Sequence, residues 1–154
     1  MILVRHGLAR SKSHWSGSDH DRPLVGSGRA QGESLVHRLR HDTVSAVWSS
    51  PAVRCAQTVA PLADARGLVV EPHPVLAKDV PPQELLRWLR RRGRADAVVC
   101  THGEVFEALL ELARSVGLVD LPASTQTEKV SAWRVLGCRS DVVELEYLRP
   151  RPPR

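Results

Sequence analysis

The chain has 154 residues, 42% of them hydrophobic and 25% charged, which are the proportions of one ordinary globular domain with a real core. Its net charge of +5 favours anionic partners, because a positive surface concentrates phosphates and nucleotides around it. Aromatic residues amount to only 4% and do not interleave with the basic ones, so a dedicated nucleic-acid groove is not expected. No stretch approaches the roughly 18 apolar residues of a membrane span, and Met1 to His6 is too short an apolar run for a signal peptide. Cys55, Cys100 and Cys138 are scattered and form no CxxC pair, which reads as reduced core thiols in a cytoplasmic protein.

Short apolar runs alternate with amphipathic helical patterns along the chain. Ile2 to Val4 predicts a buried strand, and residues 11–23, polar and rich in Gly and Ser, predict a long loop. Ser27 is placed to cap a helix running to about Arg40, with Leu35, Val36 and Leu39 inward. Val44 to Trp48 predicts a second strand. The next helix, opening near Pro51, turns Val53, Ala56, Val59, Ala60 and Ala63 inward and stops at Gly67. Leu68 to Val70 is a third strand, and Pro81-Pro82 opens a helix through Leu85, Leu86 and Leu89. Ala97 to Cys100 is a fourth strand, succeeded by a helix from about Val105 to Val116. Ser131–Leu136 and Val142–Leu145 read as a hairpin. The alternation predicts a three-layer α/β/α sandwich around a mostly parallel sheet, as one domain over 1–148. Residues 149–154 read as a basic, Pro-rich tail without fixed structure, and Arg87, Arg90, Arg91, Arg92 and Arg94 as a solvated basic face.

The chemistry lies just past the ends of three strands. The first ends in Arg5-His6-Gly7, the second in Ser49-Ser50-Pro51 with Arg54 one turn on, and the fourth in Thr101-His102-Gly103-Glu104. Ligands of an open parallel sheet bind at the carboxyl ends of its strands, so two histidines and two arginines converge on one pocket. Arginine forks grip phosphoryl oxygens in bidentate fashion, and a neutral imidazole can attack phosphorus and hold the phosphoryl group covalently. A second, protonated imidazole can donate to the same oxygens. Such a site needs no metal or other cofactor, and none is expected. Glu33, His37 and His41 stand at i, i+4 and i+8 of one helix, which is a spacing for metal ligands, but they lie off the apolar side and read as a solvated stripe. His14 and His20 read as solvated loop histidines.

These segments carry a resemblance. Leu3-Val4-Arg5-His6-Gly7, the Ser-Ser-Pro-x-x-Arg run ending at Arg54 with Gln57-Thr58 after it, and Thr101-His102-Gly103-Glu104 resemble the signature segments of the histidine phosphatase superfamily. Asp21-Arg22-Pro23-Leu24 and Gly28-Arg29-Ala30-Gln31 resemble its small phosphohistidine-phosphatase branch. Lys129 to Trp133 with the final hairpin resembles phosphatase domains that accompany Nudix hydrolases. The resemblance implies a phosphoglycerate-mutase-like fold, with His6 as nucleophile and Arg5, Arg54 and His102 forming the phosphate pocket. It also implies substrate contacts at Gly7, Arg22 and Glu104. The chain departs from the larger members at the general acid, for which Asp79 and Glu104 are the candidates, Asp79 ahead. A mutase would need a longer insertion between strands three and four than this chain has. The implied substrate is a phosphohistidine protein or a phosphorylated small molecule, a nucleotide foremost. The rival reading is a phosphate-binding module of the same fold without turnover.

Overall fold

The structure, a computed structural model, describes residues 1–92, 95–117, 128–139 and 142–150, with backbone alone at 136–139 and 142–144. Among the described residues six strands form one sheet in the order β3-β2-β4-β1-β5-β6. They are β1 (Ile2–Arg5), β2 (Ala46–Ser49), β3 (Val70–Pro72), β4 (Ala97–Thr101), β5 (Ala132–Arg139) and β6 (Val142–Leu148). The first four are mutually parallel, while β5 runs antiparallel to β1 and pairs with β6 as the expected hairpin. Among the described residues four α-helices join them: α1 (Gly26–Arg38), α2 (Val53–Ala65), α3 (Pro82–Arg92) and α4 (Gly103–Ser115).

The layering arises from the period-two alternation of strand side chains. Ile2, Val4, Val47, Val98, Cys100 and Ala132 turn to one face, where Leu35 and Leu39 of the α1 region and Cys55, Val59, Leu62 and Ala63 of α2 cover them. Leu3, Val99 and Trp133 turn to the other face, against Leu85 and Trp88 of α3 and Val105, Phe106, Leu109 and Leu110 of α4. Each fully buried Leu or Phe contributes roughly 1.5–3 kcal/mol of transfer free energy, and both faces of the central strands are sealed in this way. Among the described residues no helix is long and apolar enough to cross a membrane.

Several boundaries differ from the sequence expectation. α1 starts at Gly26 behind Val25, whose side chain makes no cap, so Ser27 lies inside the first turn. The helix ends at Arg38, which removes His41 from the Glu33/His37 stripe; all three are exposed. α2 opens two residues after Pro51 and buries Cys55, Thr58 and Leu62, where the periodicity had placed Val53 and Ala56. β3 runs two residues later than Leu68–Val70 because it pairs with Val47–Ser49. Helix ends after α2 and α4 agree with expectation, with Gly67 and Gly117 at φ 64° and 70°. In α3 the basic run is not wholly solvated: the Arg92 guanidinium stacks 4.0 Å from the Trp88 ring and 5.1 Å from that of Trp48. Arg94 and 151–154 lie outside the described residues, as does the side chain of Cys138.

Two glycines set how closely the segment after β1 approaches α1. A Cβ on Gly28 would lie 2.0 Å from the Leu8 carbonyl oxygen, and one on Gly7 would lie 2.7 Å from that of Gly28. A Cβ on Gly26 would meet nothing within 4 Å. Gly28→Ala should therefore cost about 1–3 kcal/mol through backbone displacement and lower the melting temperature, while Gly26→Ala stays within about 0.5 kcal/mol. Thermal melts of the two variants check this, and equal melting temperatures would remove the close approach.

Candidate active site

β4 lies between β1 and β2, so the carboxyl ends of three adjacent strands open on one place. Backbone bonds continue the pairing past each strand end. The His6 N–H donates to the Thr101 carbonyl at 3.0 Å and the Ser50 N–H to the Cys100 carbonyl at 2.8 Å. His6, His102 and Arg54 are thereby drawn together, 5%, 1% and 2% exposed. The two imidazoles meet edge to face with centroids 5.4 Å apart. α4 begins at Gly103 directly behind His102, and Arg54 stands in the first turn of α2, so two helix N-termini face the cluster.

Each imidazole has a defined orientation. His6 Nδ1 is 2.7 Å from the Gly7 carbonyl, which only accepts, so Nδ1 carries the proton. Its Nε2 is left with the lone pair, and among the described residues it makes no hydrogen bond. Burial first, then the charge of Lys129, and further that of Arg54, push the His6 pKa down to about 3 against the opposing Gly7 bond. His6 is a neutral imidazole with an open nucleophilic nitrogen. His102 is arranged differently: its Nδ1 accepts from Arg54 Nη2 at 3.2 Å, and its Nε2 donates to Ser50 Oγ at 2.9 Å. These two bonds tie His102 to Arg54 and to Ser50.

Arg54 is held on three sides. Nη1 donates to the Asp19 carbonyl at 2.6 Å, and Nη2 to Asp19 Oδ2 at 3.1 Å as well as to His102. Behind it the Gly7 N–H donates to Thr58 Oγ1 at 2.9 Å, and that hydroxyl donates to the Arg54 carbonyl at 2.7 Å. A chain of bonds thus ties the residue after His6 to the backbone of Arg54. Arg5 closes the far side, its guanidinium lying against Gly103 so tightly that a Cβ there would be 2.5 Å from Cζ.

Asp19 was not anticipated. It sits in a short 3-10 turn (Asp19–Asp21) within the polar loop and also accepts from Arg22 Nε at 2.9 Å and faces Lys78 Nζ at 3.5 Å. Partial burial raises its pKa, but Arg22, Arg54 and Lys78 together hold it well below the usual carboxylate range. Arg22, 8% exposed, therefore reaches the site through Asp19, its Nη1 anchored on the Arg10 carbonyl at 2.5 Å. The i, i+3 spacing of Asp19 and Arg22 was the one available signal. Lys78 reaches this carboxylate, whereas its neighbour Asp79 is exposed and makes no hydrogen bond or ion pair among the described residues. Glu104, exposed in the first turn of α4, has its pKa lowered: burial opposes, but its own backbone N–H, His102, Arg54 and Lys12 prevail. His14 bonds Ser11 and Ser13, and His20 bonds Asp21, both at the surface. No three His, Cys, Asp or Glu side chains cluster as metal ligands among the described residues.

Comparison with known proteins agrees with this geometry. Residues 1–78 match the family model of the histidine phosphatase superfamily (branch 1). An 8-oxo-(d)GTP phosphatase of Mycolicibacterium smegmatis is 32% identical over 97% of this chain, which spans 48%, about half, of that protein. A probable phosphoglycerate mutase GpmB of Yersinia enterocolitica is 28% identical over 90% of the chain and 71% of its own length. Among solved structures, the protein histidine phosphatase SixA complexed with tungstate superposes with a TM-score of 0.76 at 21% identity, over 97% of this chain and 96% of that one. A putative phosphohistidine phosphatase SixA from Agrobacterium tumefaciens gives 0.71 at 22% identity, each chain 97% covered. At those identities the structures speak for a shared fold, and both support the phosphoglycerate-mutase-like sandwich. With the Arg-His-Gly end of β1 and the Arg54 segment of α2 inside the matched half, the chain belongs to the histidine phosphatase superfamily.

Proposed function

We propose that this domain is a metal-independent phosphatase that works through a covalent phosphohistidine on His6. The observation that carries the reading is the neutral His6, with Nδ1 committed to the Gly7 carbonyl and Nε2 open beside Arg54 and His102. In the first step the Nε2 lone pair forms the N–P bond while the bond from phosphorus to the leaving group breaks, the leaving group keeping the electron pair. Arg5 and Arg54 hold the phosphoryl oxygens, whose charge is the main thing a protein must stabilise in such a transfer, and His102 keeps Arg54 in place. A water then forms an O–P bond while the N–P bond breaks, its electron pair returning to Nε2, and the water's proton passes to bulk solvent, leaving inorganic phosphate and neutral His6. Free buried Cys55 and Cys100 fit a reducing cytoplasm.

The acid question bears on the substrate. Glu104 is held ionised and Asp79 makes no hydrogen bond or ion pair among the described residues, which argues against either as a strong proton donor. A protonated leaving oxygen contributes typically 10² to 10⁴-fold for poor leaving groups such as sugar hydroxyls. Phosphoanhydrides and phosphoramidates depart with far less help. We therefore place the terminal phosphate of a nucleotide first, acting with a Nudix hydrolase as the C-terminal resemblance implies, and a phosphohistidine protein second. The mycobacterial relative, named for 8-oxo-(d)GTP, supports the first.

His6→Ala should fold normally and lose turnover to background, and brief incubation of the native protein with labelled substrate should leave acid-labile, base-stable label on His6. A native rate in His6→Ala would overturn the mechanism. EDTA should leave turnover unchanged. A panel of nucleoside diphosphates, a phosphohistidine peptide and hexose phosphates should show the first two classes turned over well ahead of the third; hexose phosphates leading would return Asp79 or Glu104 as working acid, to be separated by Asp79→Asn and Glu104→Gln.

The depressed His6 pKa predicts pH behaviour. In the unfolded chain His6 binds a proton near 6.5 and in the folded protein only near 3, so the folded state carries fewer protons in between. Stability should therefore fall as pH drops from about 6.5 towards 3, and His6→Asn should flatten part of that slope. Turnover should show no acid limb from His6 itself above pH ~4. A His6 ring titration near pH 6.5 in the folded protein, followed by NMR, would contradict its burial as a neutral nucleophile.

A further inference from the structure

The chain returns to the active end of the sheet at Glu128–Ser131, a turn closed by a 3.0 Å bond from the Ser131 N–H to the Glu128 carbonyl. The Ser131 carbonyl then accepts from the Arg5 N–H at 3.0 Å, which sets this turn directly beside the last residue of β1. Between them Val130 has φ 56°, the left-handed region that a β-branched residue seldom occupies. Val130 is also fully buried, and Arg38 fixes it by donating from Nη1 to its carbonyl at 2.7 Å and from Nη2 to the Leu148 carbonyl at 2.9 Å. Backbone strain that the surroundings over-determine in this way concentrates at functional sites. Its consequence here is the placement of Lys129.

Lys129 is half-buried among charges contributed by four segments of the site. Arg5 from β1, Arg22 from the long loop and Arg54 from α2 repel it, Glu104 from α4 attracts it, and its own charge acts on His6 ahead of that of Arg54. Asp19 answers Arg22 and Arg54, but among the described residues nothing hydrogen-bonds the Lys129 ammonium. A partly desolvated cation crowded by three guanidinium groups is unfavourable unless an anion completes the set. Resting on the phosphatase reading above, we propose that Lys129 is a further phosphate-binding residue of this site, its ammonium contacting the anionic oxygens of the substrate beside His6. An ammonium suits this place as a compact point charge, whereas the arginine forks grip in a plane.

Burial first, and then Arg5, push the Lys129 pKa down to about 8 against the pull of Glu104, so the charge is present at neutral pH and lost in mild alkali. The arginines and Glu104 keep their charges across that range, and His6 stays neutral. Tungstate, a dianion throughout it, is the probe. Titrated at pH 7 by calorimetry, Lys129→Met should bind tungstate about 10- to 100-fold more weakly with an unchanged melting temperature in its absence, while Lys129→Arg stays within a few-fold of the native protein. Native affinity should fall between pH 7 and 9.5, and in Lys129→Arg it should not. Native affinity in Lys129→Met, or an alkaline loss that persists in Lys129→Arg, would overturn the proposal. Arg54→Ala separates the two levels: if it alone abolishes tungstate binding, only Lys129 is dismissed, whereas if it too binds normally, the phosphate-site reading itself fails.

Discussion

Arg54 imposes the constraint around which the site is assembled. Its guanidinium is 2% exposed, and withdrawing such a charge from water costs several kcal/mol unless it is paired and hydrogen-bonded. The protein meets most of that demand with partners from two separate segments: the Asp19 carbonyl and carboxylate from the loop, and His102 Nδ1 from the end of β4. Each partner is fixed in turn, His102 by Ser50 and Asp19 by Arg22 and Lys78. A charge that cannot be left unpaired thus orders residues far apart in sequence.

The same network reaches the nucleophile through the main chain. Gly7, Thr58 and the Arg54 carbonyl form one run of hydrogen bonds, and the neighbouring Leu8 and Leu24 N–H groups are taken by Gln31 and Gln57 side chains at 2.9 and 2.8 Å. The segment after β1 therefore has its backbone donors satisfied by α1 and α2. Glycine at 28 lets α1 approach closely enough for this, since any side chain there would strike the Leu8 carbonyl. The orientation of His6 is set by its own neighbour, the Gly7 carbonyl, so the tautomer is dictated by backbone that these helices hold still.

How much of this was legible in the sequence depended on where each residue lay. His6, Arg5, Arg54 and His102 stand at the ends of apolar strands or in the first turn after one, and the rule that parallel sheets bind ligands at their carboxyl ends gathers them without coordinates. The layers were legible for a similar reason, because Ile2, Leu3 and Val4 must face alternate sides. Asp19 and Lys129 were not. Asp19 lies in a polar stretch where charge reads as solvation, and only the fold shows it between Arg22 and Arg54. Lys129 depends on a left-handed valine, which no propensity would place there. The stripe of Glu33, His37 and His41 failed in the opposite way: its spacing was good, but the helix stopped at Arg38.

Asp19 also bears on how the site keeps its cations together. Four positive side chains (Arg5, Arg22, Arg54 and Lys129) would repel one another at close range, and a single carboxylate on the loop offsets part of that repulsion. Its Oδ1 serves Arg22 while Oδ2 serves Arg54, so the forks are already aimed when an anion arrives. Organisation of this kind lowers the cost of ordering side chains at the moment of binding. A carboxylate carries one negative charge over two oxygens, whereas a phosphoryl dianion presents two charges over three, and Coulomb attraction in a partly dry pocket grows with that charge. Asp19 is thus strong enough to hold the guanidinium groups in register and weaker than the phosphoryl dianion proposed to bind there.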